Sequence, residues 1–382
     1  MTEIIIATIM RAQGETGVQT HFNSFSQYLT QQQLKHRLVT PFQAVKLLVY
    51  PIFAVRKLLH PLSGELSVWW YRYWHQFFLQ QVLANQLKTG LDCIIYAQCP
   101  LSAAAALKAR VSGRQKVIMV THFNISQADE WHGKGLISEH SQLYKHIVDF
   151  EVETLPKLDG VVFVSDFMRQ ELYQRIPSLK RVEATIIPNF LIDPGEPKNV
   201  MIKADLINIG SLEQRKNQSY LLEIIAALRD LGTTLTLTII GDGPDRAKLE
   251  EKCKALHLNE LVTFSGFVEK ASEHIIYHRA CIHVATIENL PMTLIESLAH
   301  GKPIFAAPVG GIREILLDGK VGINLPLDDA KNAAHLIINA IKSTDWMNEA
   351  AIAARQCFLN DYVADISANR LLKFLLQQLE AL

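Results

Sequence analysis

Residues 280–311 read ACIHVATIENLPMTLIESLAHGKPIFAAPVGG. An apolar run at 280–286 is followed by a short loop, a segment that opens at Pro291 and closes at Gly301, and a second apolar run at 303–308. Strand, helix and strand in so short a span make the crossover unit of a parallel sheet, whose strands are apolar throughout because both faces are covered. Pro291 suits the first turn of a helix, where its missing N–H costs nothing. Gly301 suits the left-handed residue that ends one. Two carboxylates, Glu288 and Glu296, then fall eight positions apart, one in the loop and one in the helix's second turn. The free first-turn N–H groups of Met292 and Thr293 suit a phosphate, so one long anionic ligand would touch both acids. The plain alternative stays open at this point: Glu296 offsets the helix dipole and Glu288 caps the turn.

The same alternation extends in both directions. Towards the N-terminus lie strand-like runs at 261–266, 234–241 (ending Gly241-Asp242-Gly243-Pro244) and 206–210, with a helical segment at 217–230, and towards the C-terminus lies a further short run at 322–326. Before these, residues 191–200, LIDPGEPKNV, break the pattern with two prolines and a glycine and read as a linker. The first half repeats the theme: apolar runs at 4–9, 91–97, 116–120 and 160–165, with a helix at 18–30 after a glycine-containing turn. A chain of 382 residues is long for one core and suits two. The expected fold is α/β, with two Rossmann-like parallel-sheet domains facing a central cleft. They occupy 1–190 and 201–360, joined by the 191–200 linker and followed by one or two closing helices in 361–382.

Composition removes several function classes. Hydrophobic residues are 49% and charged residues 20% of the chain, which marks a folded globular protein. Formal net charge is zero, against a general nucleic-acid partner. Five cysteines without a CxxC pair suggest neither a zinc knuckle nor a disulfide framework, and fit a reducing cytosol. The opening MTEIIIATIM has no basic leader before its apolar run and reads as a first strand. No uninterrupted run of 18 apolar residues marks a spanning helix. GxSxG, HExxH and GxxxxGK[ST] are absent, and His132, His140 and His146 match no recognised metal spacing.

Ligands of open parallel sheets bind outside the carboxyl ends of the strands, and polar signals gather there. GSLEQRKN, 210–217, follows a strand with two adjacent cations. Arg215 or Lys216 would neutralise a diphosphate leaving group, or the two are a solvated pair at a helix start. Gly14-Glu15-Thr16-Gly17 follows the first strand and offers backbone N–H groups to a phosphate, though it is not the dinucleotide fingerprint. His122 stands just past KVIMVT, where it either meets a substrate hydroxyl or is a satisfied structural histidine; His21 has the same two readings. Residues 41–87 crowd Trp69, Trp70, Trp74, Tyr71, Tyr73, Phe77 and Phe78 among Lys46, Arg56, Lys57 and Arg72. Such helices lie at membrane surfaces or bind lipid acceptors, or else form a helical insertion packed on the first domain.

Together these residues resemble the retaining glycosyltransferases of family 4, with the GT-B fold. The resemblance covers nearly the whole chain and is strongest from Ile207 to Ile315. The acidic pair matches the family's E-x7-E signature at Glu288 and Glu296, followed by SLAHGKPIFAAPVGGIRE. GSLEQRKN, TIIGDGPDRAKLE and VTFSGFV stand in family order. GETGVQTHF resembles the glycine loop and first helix, and VSDFMRQEL and IIPNF the interdomain approach. The resemblance implies that Lys216 binds the donor diphosphate, Glu296 the ribose hydroxyls and Glu288 the transferred sugar. Gly266, Phe267 and Val268 would lie along the base, Gly17 near the phosphate, and His122 near the reacting centre. Two positions depart from the pattern. Ser211 stands where an arginine is usual, which passes that cation's task to Arg215. Pro291 has no N–H, which leaves Leu290, Met292 or Thr293 as donors.

The implied reaction transfers a sugar with retention from a nucleotide-diphosphate donor, a UDP- or GDP-sugar, to an acceptor hydroxyl, with no tightly bound cofactor and no essential metal. The implied acceptor is a glycan or lipid-linked saccharide of bacterial capsule, O-antigen, lipopolysaccharide or exopolysaccharide synthesis. The implied place is the cytoplasm or the inner face of its membrane, with peripheral contact through 41–87. The alternatives are a small soluble acceptor, or a catalytically silent protein that binds nucleotide sugar or a partner.

Overall fold

The computed structural model describes residues 3–14, 16–87, 92–197, 200–316 and 319–380. Glu15 of the glycine loop, Leu91 of an expected strand, Lys198 and Asn199 of the expected linker, and residues 381–382 lie outside these. The chain divides into two compact units: one runs to Pro188 and takes up the chain again from Ala364, and the other is Asn189–Val363.

In the first unit, β1 (Glu3–Ala7), α1 (Gly17–Gln31) and β2 (His36–Val39) are followed by two long helices, α2 (Lys46–Leu59) and α3 (Gly64–Gln86). Then come β3 (Cys93–Ala97), α4 (Pro100–Ala109), β4 (Gln115–Thr121), α5 (Gln127–Gly133), α6 (Gln142–Thr154), β5 (Gly160–Phe163), α7 (Asp166–Arg175) and β6 (Ala184–Ile186). The strands form one parallel sheet in the order β2-β1-β3-β4-β5-β6. β1 and β3 are buried at every residue, as strands covered on both faces must be. β2 and β6 carry no apolar run, and the sequence reading passed over both. At the edges of the sheet one neighbour suffices to order them, and apart from the buried Val39 they remain half-exposed.

The second unit contains β7 (Ala204–Ile209), α8 (Gln218–Asp230), β8 (Leu237–Ile240), α9 (Arg246–Ala255), β9 (Val262–Gly266) and β10 (His278–His283). It continues through α10 (Met292–Ala299), β11 (Ile304–Ala306), α11 (Ile312–Leu316), β12 (Gly322–Asn324), α12 (Ala330–Lys342) and α13 (Thr344–Cys357). The last helix, α14 (Ala364–Glu380), belongs to the first unit and packs on α1. The second sheet is also parallel, in the order β12-β11-β10-β7-β8-β9. Counted from its own first strand, this is the doubly wound order, with its reversal between β7 and β10. In the first sheet the reversal lies between β1 and β3.

The strand–helix–strand expected around ENLPMTLIE is β10, α10 and β11. The strand stops at His283, three residues earlier than the apolar run suggests. Pro291 takes the N-cap rather than the first helical position, at φ −70°. Gly301, at φ +59°, ends the helix. Residues 191–197 are tied into the second unit: the Leu191 N–H donates to the Tyr362 carbonyl (3.0 Å), and Arg355 forms a two-pronged bond to Asp193 (2.8 Å on each prong).

Candidate active site

In the second unit four adjacent strand ends carry the signals. The β7–β10 ladder runs out at Ile207 and Cys281, and one residue later the buried Asn208 amide donates to the Ile282 carbonyl (2.8 Å). Two strands that part at the reversal of a doubly wound sheet open a crevice, and the loops after β7 and β10 are its walls.

The loop after β7 holds Lys216 against Gly210, where a Cβ would lie 3.8 Å from the lysine Cε. Asn217 then turns left-handed at φ +57° and starts α8. The two loops are joined by the Thr286 N–H, which donates to the Arg215 carbonyl (2.9 Å). Lys216 meets the Glu288 carboxylate directly at Oε1. The same oxygen receives Arg215 at 3.6 Å and the His283 Nε2 at 3.3 Å, and Arg215 also grips Glu213 at 2.6 Å. Glu288 Oε2 takes none of these contacts.

Glu288 is 6% exposed and His283 2%. Burial pushes the Glu288 carboxyl up. Lys216, then His283 and Arg215, overcome that and hold it well below the usual carboxylate range. Burial pushes His283 down; its bond to Glu288 opposes this and the Lys216 charge adds to it. His283 is therefore neutral near pH 7 and donates its Nε2 proton to the carboxylate. Sequence reasoning missed His283 and Glu213. The histidine's signal was its place at the end of a strand five residues before Glu288.

On α10, Leu294 makes the first intrahelical bond, to the Pro291 carbonyl (3.2 Å), so the Met292 and Thr293 N–H groups precede the helical ladder. Leu290 is buried, and its carbonyl accepts from the Asn189 side chain (2.9 Å), which anchors the signature loop. Glu296 stands half-buried in the second turn near Cys281. Burial pushes that thiol up to about 12, with Ser297 opposing and the Glu296 charge adding. After β8, Gly241 has φ +140°, and a Cβ there would lie 1.9 Å from the Gly210 carbonyl oxygen. Its N–H donates to the Gly266 carbonyl (2.8 Å). Gly266 ends β9 at φ +70°; beyond it Phe267 is exposed and Val268 half-buried. Thus the structure brings Arg215, Lys216 and Glu288 into one cluster, with the α10 start and Gly266–Val268 on the same edge of the same sheet.

Gly17 and His122 belong to the first unit. Gly17 opens α1 behind the Thr16 cap, and the Gln19 amide folds the preceding loop by donating to the Arg11 and Gln13 carbonyls (2.9 Å each). His122 follows β4, bonds Gln98 at 3.3 Å and lies edge-on to His21, with ring centroids 4.5 Å apart. His21 meets the Tyr96 hydroxyl at 3.0 Å. The loop after His122 rests on a buried set that the sequence did not announce. Glu151 accepts from Ser126 (2.9 Å), the Gln127 N–H (2.8 Å) and Arg175 (2.6 Å), and Ile125 is held at φ +52°. Among the described residues, no three His, Cys, Asp or Glu side chains gather as a metal set.

Known proteins were compared with this chain. The family model for Glycosyltransferase Family 4 matches residues 16–192, and that for Glycosyl transferases group 1 matches 195–356. An alpha-D-kanosaminyltransferase of Streptomyces kanamyceticus is 24% identical over 66% of this chain and 69% of its own. An alpha-monoglucosyldiacylglycerol synthase of Streptococcus pneumoniae is 24% identical over 69% of this chain and 62% of its own. The match to a Mycobacterium tuberculosis glycogen synthase spans 39% of that enzyme. Sucrose-phosphate synthase from Thermosynechococcus elongatus superposes with a TM-score of 0.77 at 16% identity, over 100% of both chains. Anabaena HepE in complex with UDP-glucose does so at 0.68, 16% and 100% of both. At that identity the superpositions speak for the fold, and the family models speak for descent. Two glycosyltransferase models matched in tandem, one on each half of a chain with two parallel sheets, place this protein in glycosyltransferase family 4 with the GT-B fold.

Proposed function

We propose that the protein transfers a sugar, with retention of anomeric configuration, from a nucleotide-diphosphate sugar to a hydroxyl of a glycan or lipid-linked saccharide. The observation that carries this is the Lys216–Glu288 cluster at the sheet's reversal point, beside the free first turn of α10. Lys216 and Arg215, with the Met292 and Thr293 N–H groups, stabilise charge growing on the diphosphate as the bond to the anomeric carbon breaks. The acceptor oxygen forms the new bond on the same face, and its proton passes to the leaving diphosphate. Glu288 offers Oε2 to a sugar hydroxyl, and Glu296 binds the ribose hydroxyls. Gly266, Phe267 and Val268 lie along the base. In the first unit, Gly17 presents an N–H end to phosphate and His122 meets the sugar.

UDP-glucose bound to HepE supports a UDP-sugar over a GDP-sugar. The diacylglycerol-linked product of the pneumococcal relative supports a lipid-linked acceptor. The pathway proposed is bacterial capsule, O-antigen, lipopolysaccharide or exopolysaccharide synthesis at the inner face of the cytoplasmic membrane, with charge supplied by side chains and no essential metal. Calorimetry with UDP, GDP and ADP, with and without magnesium, tests the donor site. Selection of one nucleotide, followed by product of retained configuration from its sugar and a lipid-linked acceptor, is the expected outcome. Binding of none sinks the reading, and tight binding without transfer turns it into a silent sugar-nucleotide sensor.

A further inference from the structure

Ten of the seventeen large apolar side chains exposed among the described residues lie between Val45 and Phe77, on α2, α3 and the turn joining them. The inner faces of this hairpin are conventional. Val49, Val68 and Leu79 are fully buried, and His75 stacks on Phe53 with centroids 3.9 Å apart. Trp70 Nε1 donates to the Ile52 carbonyl (2.8 Å), locking one helix on the other. A surface helix normally turns charge outward. Here the outward stripe of α3 is Leu66, Trp69, Tyr73 and Phe77, at helical spacing, and covers about 16 Å at 1.5 Å per residue, with exposed Leu62 in the turn before it. Trp69 stacks on Tyr73 and Tyr73 on Phe77, at 5.5 and 6.4 Å, so the stripe is an ordered ladder. On α2, Leu47 (86% exposed) and Leu58 (69%) project beside exposed Lys46 and Lys57.

We propose that this outward face of α2 and α3 is a docking surface for an anionic lipid bilayer. Charge decides the occupant. Between residues 45 and 77 the basic side chains are Lys46, Arg56, Lys57 and Arg72, and the one acid is Glu65. Arg72 is buried on Gln127 (2.8 Å), and Arg56 lies over the Tyr71 ring (4.6 Å), which leaves Lys46 and Lys57 to face outward. A second copy of this face would bring Glu65 as the single counter-charge for those lysines, whereas anionic headgroups supply many. Trp and Tyr settle at headgroup level, with the leucines reaching the acyl boundary. No described helix is long and apolar enough to cross a membrane, so the contact is in-plane. The inference deepens the lipid-linked acceptor reading and rests on it for its purpose.

The test is flotation of the purified full chain with vesicles of phosphatidylglycerol and phosphatidylcholine, or of phosphatidylcholine alone, without donor or acceptor. Binding at least tenfold tighter to the anionic vesicles is expected. Lys46→Gln and Lys57→Gln should each lose about fivefold on anionic vesicles, and Trp69→Ser with Leu66→Ser should lose more. Nucleotide binding measured on the same variants must stay unchanged, which separates this proposal's failure from that of the transfer reading. No vesicle binding, or equal binding to both compositions, overturns it. So does a wild-type dimer that the Trp69→Ser, Leu66→Ser variant turns into monomer.

Discussion

Lys216 and Glu288, 72 positions apart in sequence, form an ion pair at neighbouring strand ends. Both side chains are largely buried. A buried pair resists loss of one partner far more than loss of both, because the survivor keeps its desolvation cost. Lys216→Met should therefore lower stability by about 3–5 kcal/mol in urea unfolding. It should also raise the transfer barrier by about 2–4 kcal/mol, if Lys216 meets the diphosphate. Adding Glu288→Gln should restore most of the stability and none of the rate. Recovery of both would mean that the pair is structural only.

Glu296 is assigned to the ribose. Glu296→Ala should weaken nucleotide binding by about 1.5–3 kcal/mol, the range for a hydrogen bond to a charged group. The same substitution should leave the affinity for inorganic diphosphate unchanged. Calorimetry with the nucleoside diphosphate and with diphosphate separates the two, and equal losses on both would remove the ribose role.

Gly241→Ala is a geometric prediction. Its φ of +140° is strained for an L side chain, and the new Cβ would meet the Gly210 carbonyl oxygen at 1.9 Å. Because the atom met is backbone and not a flexible side chain, relief requires β7 and β8 to part at the site edge. Stability should fall by more than the roughly 1–3 kcal/mol of a strained residue alone, and nucleotide binding should fail with it. Gly113→Ala, with no atom within 4 Å of its Cβ, is the control and should change neither.

The hairpin beneath the proposed lipid surface carries a pH dependence. Burial pushes His75 down to about 4 from 6.5, with the Tyr71 carbonyl opposing and Arg56 adding to the shift. The unfolded chain then binds the proton first. His75 costs nothing above about pH 6.5, and its penalty grows as pH falls towards 4. At pH 4.5 the loss is about 2.5 kcal/mol relative to pH 7, at 1.36 kcal/mol per unit. His75→Phe keeps a ring against Phe53 and removes the titration, so its urea-derived stability should slope less across that window. An unchanged slope would place the acid sensitivity elsewhere. Glu288 acts below this range: its depressed carboxyl contributes above about 4.5 and is lost only as pH falls further through its folded value.

How much of this was legible follows from what each residue announces locally. The run from Ala280 to Gly311 specified β10, α10 and β11 because strand, helix stop and strand each carry their own signal. Lys216 and Arg215 were visible as cations after a strand, but their convergence on one oxygen of Glu288, 72 positions beyond Lys216, comes from the pairing of β7 with β10 and has no local signal. His283 looked like one more residue of a buried strand. The aromatic crowd at 69–78 was plain in composition. Its division into Trp70 tied inward and Trp69 facing out required the helix phase fixed by α2. β2 and β6 owe their order to a neighbouring strand, which no local pattern records.

Glu151 and Arg175 were unmarked in sequence, yet they hold the loop that follows His122. Glu151 is fully buried and accepts from Ser126, the Gln127 N–H and Arg175, while Arg175 also donates to the Ile125 carbonyl (2.8 Å). Ile125, a β-branched residue at φ +52°, adopts a conformation that costs about 1–2 kcal/mol and persists because these bonds over-determine it. Glu151→Gln leaves Arg175 without its counter-charge and should cost about 3–5 kcal/mol of stability. Ile125→Gly tests positioning without that damage. It removes the strain and keeps the carbonyl, so stability should hold or rise by about 1 kcal/mol. Glycine keeps the bond from Arg175 but widens the backbone angles open to the segment after His122, so kcat should fall several-fold with nucleotide affinity unchanged, because His122 is proposed to meet the sugar rather than the nucleotide. An Ile125→Gly protein with wild-type kcat would show that His122 needs no such support, or that it does not act in transfer.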